Sequence, residues 1–198
     1  ELMVRLEERP WRGSVTVLLD RRDAAHRGHG PGSSLEYAVS LVASVCAHLV
    51  HRGDAVTVVT EDGVNAVTGA TGVSPTDGRT DLEPVLDALA ALRPSARTDL
   101  TGPALVGNDT VLAVLGALAP GDVEVLLARY PHPGNAVLLD VATWLPNAAK
   151  RSRPAGTQVA PAAEALRRAG WQVTVAAATT PPQQVWDDLG TAHRAVWS

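Results

Sequence analysis

Apolar residues follow two spacings along this chain. Five short apolar runs rich in branched residues stand out: "SVTVLLD" (14–20), "AVTVVTE" (55–61), "TVLAVLG" (110–116), which is nearly all apolar, "NAVLLDVATW" (135–144) and "WQVTVAAA" (171–178). Unbroken runs of this kind are expected of strands covered on both faces, as in parallel sheets. A shorter stretch, "VNAVTG" (64–69), follows the turn residues "EDG" and is expected to return as an antiparallel partner of the second strand. The gaps between runs carry helical spacing. In "SSLEYAVSLVASVCAHLVHRG", Leu35, Val39, Val42, Cys46 and Leu49 share one face, and Leu41, Val45 and Val50 widen it until the helix is apolar almost all round, which predicts deep burial. Ser33 and Glu36 make a capping-box pattern, and Gly53 offers a stop. Residues 81–94, 120–130 and 160–170 read as further helices, and the tail "PPQQVWDDLGTAHRAVW" as a last one. The order β-α-β-β-α-β-α-β-α-β-α predicts an α/β Rossmann-like three-layer sandwich, with a mostly parallel central sheet and one short antiparallel strand. Two loops, 68–80 and 147–159, are left without an element.

Composition narrows the function classes. At 198 residues the chain suits one domain with a substantial core. Hydrophobic residues at 45% and charged residues at 19% exclude a disordered chain. A net charge of -4, with Lys150 the sole lysine and the arginines scattered, gives nucleic acid no purchase. Cys46 is the only cysteine, so no disulfide forms within the chain. Its apolar neighbours predict a buried thiol rather than a nucleophile. No uninterrupted apolar run reaches the ~18 residues of a spanning helix, and no signal-peptide pattern is present. The chain opens at "ELMVRLEERPW" without an initiator methionine, and is expected to be a piece of a longer protein whose membrane anchor lies outside it.

The chemistry is expected at the end of the first strand. In doubly wound sheets, ligands bind beyond the carboxyl ends of the strands, and Asp20 lies there. Three chemistries compete for this place. The first is a phosphate loop: "RGHGPGSS", with its glycine-rich residues 28–34, follows a strand and opens a helix. It matches neither G-x-x-x-x-G-K-[ST] nor G-x-G-x-x-G, and lacks the lysine that meets terminal phosphates. The second is a zinc site, but His26/His29 and His48/His51 form two pairs that nothing in the sequence brings together. The third is the metal-ion-dependent adhesion site of von Willebrand factor A domains. There D-x-S-x-S ends the first strand, and a threonine and a second aspartate come from later loops around magnesium. Asp20 is in place and Thr80 suits the threonine position. The serine positions, however, are Arg22 and Ala24, and Gly116-Ala117 stands where the second aspartate is expected. Asp23 lies off the pattern. The adhesion site is degenerate, with only Asp20, Asp23 and Thr80 as weak residual metal candidates.

With these residues in view, the chain resembles the C-terminal half of the bacterial "domain of unknown function fifty-eight" family. The resemblance rests on "ELMVRLEE", "VTVLLD", "AAHRGHGPGSSLEYAVSLVAS", "VLLDVATW" and "LRRAGWQVTV", which reach from residue 1 to about 177. It implies a von Willebrand factor A-type fold over residues 1–198, and a role beside a MoxR-type AAA+ ATPase. It also implies an N-terminal membrane anchor in the full-length protein, with this domain on the cytoplasmic face of the inner membrane. Many members keep some D-x-S-x-S character, whereas this chain keeps only Asp20.

Two functions from different classes follow. One is a non-enzymatic protein-interaction scaffold without cofactor or metal, whose face at the strand carboxyl ends (Asp20, Arg22, Asp23, Arg27 and Thr80) meets the ATPase or its client. Arg22 and Arg27 suit carboxylates because a guanidinium binds them bidentately, and Arg22→Glu is expected to weaken capture without unfolding. The other is a nucleotide- or small-molecule-binding Rossmann-like enzyme using loop 28–34. It lacks an assembled base, nucleophile and orienting group, with Tyr37 and His26 the nearest candidates.

Overall fold

A computed structural model describes residues 14–66, 81–102, 110–145 and 159–196, with side chains described as far as Leu189. Thr80, Trp11, Trp197, the "ELMVRLEE" stretch, both unassigned loops but for Val159, and residues 67–69 of the expected antiparallel strand lie outside these residues.

Five strands form one sheet in the order β2-β1-β3-β4-β5. They are β1 (Ser14–Leu19), β2 (Ala55–Thr60), β3 (Thr110–Leu115), β4 (Asn135–Leu139) and β5 (Gln172–Ala176). Every pairing is parallel, from Val17 opposite Val58 on one side of β1 to Val17 opposite Leu112 on the other. Among the described residues, five helices cover it: α1 (Ser34–Arg52), α2 (Leu82–Ala91), α3 (Pro120–Arg129), α4 (Val159–Arg168) and α5 (Pro182–Val196). Side chains alternate across the pleat, so each strand feeds two cores. Val17, Leu19, Leu112, Val114, Val137 and Leu139 pack beneath α1, α2 and α5. Leu18, Ala113, Leu115, Ala136 and Leu138 pack beneath α3 and α4, with Trp171 closing that side. Each fully buried leucine or valine stabilises the fold by roughly 1.5–3 kcal/mol. The result is an α/β three-layer sandwich of Rossmann-like form.

The expected antiparallel strand is corrected to a single bridge. Thr60 N–H donates to the Val64 carbonyl (3.0 Å) and Ala66 N–H to that of Val58 (2.8 Å), pairing Val59 with Asn65 only. Asp62 ties the turn by accepting from Thr60 Oγ1 (2.6 Å) and Val64 N (3.1 Å), and Gly63 takes the left-handed φ of 80°. Beyond the turn Val64 is 50% exposed and Asn65 is exposed, so among the described residues no buried face holds a longer pairing in register.

The fourth strand is also shorter than 135–144. It stops at Leu139, and Val141–Trp144 wind into a 3-10 turn. Thr143 drives this, because both its N–H (2.9 Å) and its hydroxyl (2.7 Å) donate to the Asp140 carbonyl. Trp144 then meets Tyr37 edge-on at 5.3 Å.

Nor is α1 buried all round. Ser34, Ala38, Leu41, Val42, Val45, Cys46 and Leu49 face the sheet, while Glu36, Ser40, Ser44 and His48 form an exposed stripe. By length and composition this helix is apolar enough to cross a membrane; its apolar face is instead the centre of one core. Ser33 caps it, accepting from Glu36 N at 3.2 Å, and Gly53 closes it with φ 88°. Ser33 N–H donates to the Gly30 carbonyl at 3.0 Å, so the bond that would complete the reciprocal box goes elsewhere.

Candidate functional site

The chain runs outward from β1 to β2 on one side and to β3 on the other, so the switch in strand order falls at the carboxyl ends of β1 and β3. Asp20 sits there, fully buried. Its N–H donates to the Val114 carbonyl at 3.0 Å, extending the ladder one step past β1.

Arg22, expected to face a partner, turns inward and is only 3% exposed. Its Nε donates to Asp20 Oδ1 and its Nη2 to Asp20 Oδ2, both at 2.9 Å. Nη1 donates to both Asp122 oxygens and to the Thr98 carbonyl at 3.1 Å, and Nη2 reaches the Ala117 carbonyl at 3.4 Å. The backbone N–H of Arg22 adds a bond to Asp20 Oδ1 at 3.1 Å. Burial acts on this guanidinium first and would lower its pKa. The hydrogen bond and charge of Asp20, and then the charge of Asp122, outweigh burial and hold the pKa above the ordinary value. Arg22 is therefore a permanent buried cation between two carboxylates, and it is corrected from a partner contact to an internal clamp.

Asp122 was missed by the sequence pattern. It lies in the first turn of α3 and caps it, accepting from Ala119 N at 2.8 Å, where a carboxylate complements the helix dipole. The signal for it was "APGDVEV", shortly after the end of β3: a helix-opening proline and then an acid. The position where the adhesion pattern places its second aspartate, Gly116, has no room for any side chain. A Cβ there would collide with the Ala25 carbonyl. That carbonyl accepts from Ala117 N at 2.8 Å, seating the Asp23–Ala25 turn on the end of β3.

His26 completes the buried network. Its Nε2 lies 2.7 Å from the Asp20 carbonyl and its Nδ1 lies 3.1 Å from Ser34 Oγ. A carbonyl only accepts, so Nε2 carries the proton and Nδ1 accepts from Ser34. Ser34 Oγ in turn accepts from Arg27 N at 2.9 Å. Burial is the leading influence on His26 and lowers its pKa, against the opposing charge of Asp20 and its carbonyl bond.

The glycine-rich loop folds onto itself. Gly28 and Gly30 take left-handed φ values of 85° and 61°, and Ser34 N–H donates to the Arg27 carbonyl at 2.9 Å. With Ser33 N and Glu36 N also bonded within the chain, these donors of α1 serve the loop itself. Asp23 and Ala24 are exposed on the rim, and Arg27 is half-buried, its guanidinium donating to the carbonyls of Ala24 (2.8 Å) and His26 (2.6 Å). Thr80 lies outside the described residues.

A second charged cluster lies beside the first, at the end of β2. Arg21 pairs with the fully buried Glu61 (3.2 Å) and with Asp62 (3.4 Å). Buried Arg129 donates to the carbonyls of Glu61 (2.6 Å) and Leu100 (2.9 Å). Gly102 passes so close to the Arg129 guanidinium that a Cβ would meet it at 2.6 Å. Among the described residues, a groove of about 350 Å³ opens between α1 and α5, and an apolar one of about 510 Å³ between α3 and α4. Among the described residues, no cluster of three or more His, Cys, Asp and Glu side chains is placed to hold a metal ion. The residues at β1 do not fit the magnesium of an adhesion site, because a bonded guanidinium fills the space between the carboxylates. The chain matches no protein-family model and no curated protein.

Proposed function

We propose that this domain is a non-enzymatic protein-interaction module whose face at the strand carboxyl ends engages a MoxR-type AAA+ ATPase or its client, as the resemblance to the "domain of unknown function fifty-eight" family implies. In the full-length protein an N-terminal anchor holds this von Willebrand factor A-like domain at the cytoplasmic face of the inner membrane. One observation carries the reading: the crevice at the switch point is closed from within by Arg22, bonded to Asp20 and Asp122. Among the described residues around this crevice, what remains for a ligand is an outer surface of loop side chains, Asp23 and Arg27 among them, which suits a macromolecule better than a small substrate. His26, the nearest group with acid–base chemistry, has both ring nitrogens engaged and is 7% exposed.

The test is capture of a purified MoxR-type ATPase from the same organism by the domain and by a double charge reversal, Asp23→Arg with Arg27→Glu. Capture is expected to fall at least tenfold, by the several kcal/mol that like charges cost at an interface, with the unfolding midpoint little changed. Capture that survives the reversal would remove this face, and no capture by the wild type would remove the ATPase.

A further inference from the structure

We infer that the Arg22 guanidinium stands in for a divalent cation, fixing the face in one cation-independent state, and that removing it opens a site for a hard divalent metal ion. The inference deepens the interaction reading, but rests only on the buried cluster.

The ligands decide the chemistry. Four residues aim oxygen atoms at one buried cation: both oxygens of Asp20, both of Asp122, and the carbonyls of Thr98 and Ala117. No nitrogen or sulfur takes part. An all-oxygen set with two carboxylates is what magnesium, manganese and calcium require, and is unlike the nitrogen and sulfur sets that hold zinc. Charge points the same way. Two carboxylates face a single positive charge, so a divalent ion would neutralise what the guanidinium leaves at minus one. In place, Arg22 binds through three nitrogens and bridges elements far apart in sequence: the end of β1, the segment before Leu100, and the first turn of α3. A metal ion bound among the same oxygens would make the same bridge. Because the arginine is covalently attached and always charged, the bridge is present at every ion concentration. The domain is thereby deprived of the ion-linked control that an open carboxylate site provides.

The first measurement is thermal unfolding of the chelator-stripped domain in magnesium, manganese or calcium, with sodium chloride matched for ionic strength. Wild type is expected to show no ion-specific shift. Arg22→Ser, which removes the guanidinium and leaves a small hydroxyl beside the backbone, is expected to unfold at lower temperature and to recover saturably with a divalent ion. At a hundredfold excess over the dissociation constant, the recovery should reach roughly 5–11 °C. Asp20→Asn in the same background should abolish it. If Arg22→Ser does not fold without metal, manganese-dependent refolding followed by circular dichroism replaces the melting curve. Arg22→Lys, which keeps a cation in place, should fold without any divalent response. A saturable shift in wild type would show that the arginine does not fill the site. The absence of both shift and manganese-dependent refolding in Arg22→Ser would show that the oxygens form no metal site. Neither result depends on partner capture, so this inference and the interaction reading fail separately.

Discussion

Asp20 and Arg22 form an ion pair whose cost and benefit are both large. A carboxylate at zero exposure is tolerable only while its two oxygens are bonded, and the guanidinium donates the shortest bond to each, beside weaker ones from Arg22 N and Gly116 N. Arg22→Glu would set a third carboxylate between Asp20 and Asp122. The expected loss is about 3–5 kcal/mol or more, read as a fall in the urea midpoint, and a variant of wild-type stability would show that the clamp contributes nothing. Gly116→Ala tests the neighbouring contact. Its Cβ would strike the Ala25 carbonyl, and overpacking of this kind costs about 1–3 kcal/mol; an unchanged midpoint would mean the Asp23–Ala25 turn yields freely. His26 sets a pH dependence of defined sign. Burial lowers its folded pKa below the ordinary value, so between the two values the unfolded chain binds more protons. Its contribution to stability is fully present above about pH 6.5 and is lost as pH falls from there towards the folded value. Urea unfolding at pH 7.5 and 5.5 should show a larger loss in wild type than in His26→Gln, and equal losses would exclude this histidine as the source. At this scale the sequence was half legible. Asp20 could be placed from the end of an apolar run, but the direction of Arg22 could not. Three residues past the end of β1, Arg22 folds back onto Asp20 and reaches Asp122, and the second of these partners, a hundred residues away, leaves no mark in the local sequence.

Elements were easier to read than their ends. All five strands sit within the apolar runs, because burial on both faces leaves the inner strands few polar positions, while the edge strand β5 is only partly buried. Their ends depend on single bonds, such as those from Thr143 to the Asp140 carbonyl, which no apolar count can register. The breadth of α1 was overestimated because Val39, Ala43 and Val50 pack only at the margin of its core and stay half-buried. Its start was legible, since Ser33 makes the expected cap. Ser33→Ala should therefore cost about 1 kcal/mol, or roughly 2–4 °C for a domain of this size. A loss of a few tenths would mean that the Gly30–Gly32 turn alone fixes the start of the helix.

At the scale of the molecule, alternation of strand and helix was enough to predict a parallel sheet with helices on both faces, since each parallel return needs a crossover. The closing of the switch point was not foreseeable, because it joins three chain segments that are adjacent only in the fold. Cys46 reports on whether the three layers act together. The thiol is fully buried on the sheet-facing side of α1, and burial pushes its pKa up to about 12. In the folded state it is both inaccessible and protonated, so a thiol reagent reacts only after opening. If the layers unfold as one unit, labelling of Cys46 should depend on urea with the same slope as the loss of circular dichroism, and yield the same free energy. The packing favours this result, since Leu41, Val42 and Cys46 share a core with residues from β1, β3, β4 and α5. A shallower slope for labelling would mean that α1 lifts from the sheet while the opposite layer holds. The loop that α1 anchors through Ser34 and His26 would then open with it, and the binding face would be a dynamic surface rather than a fixed one.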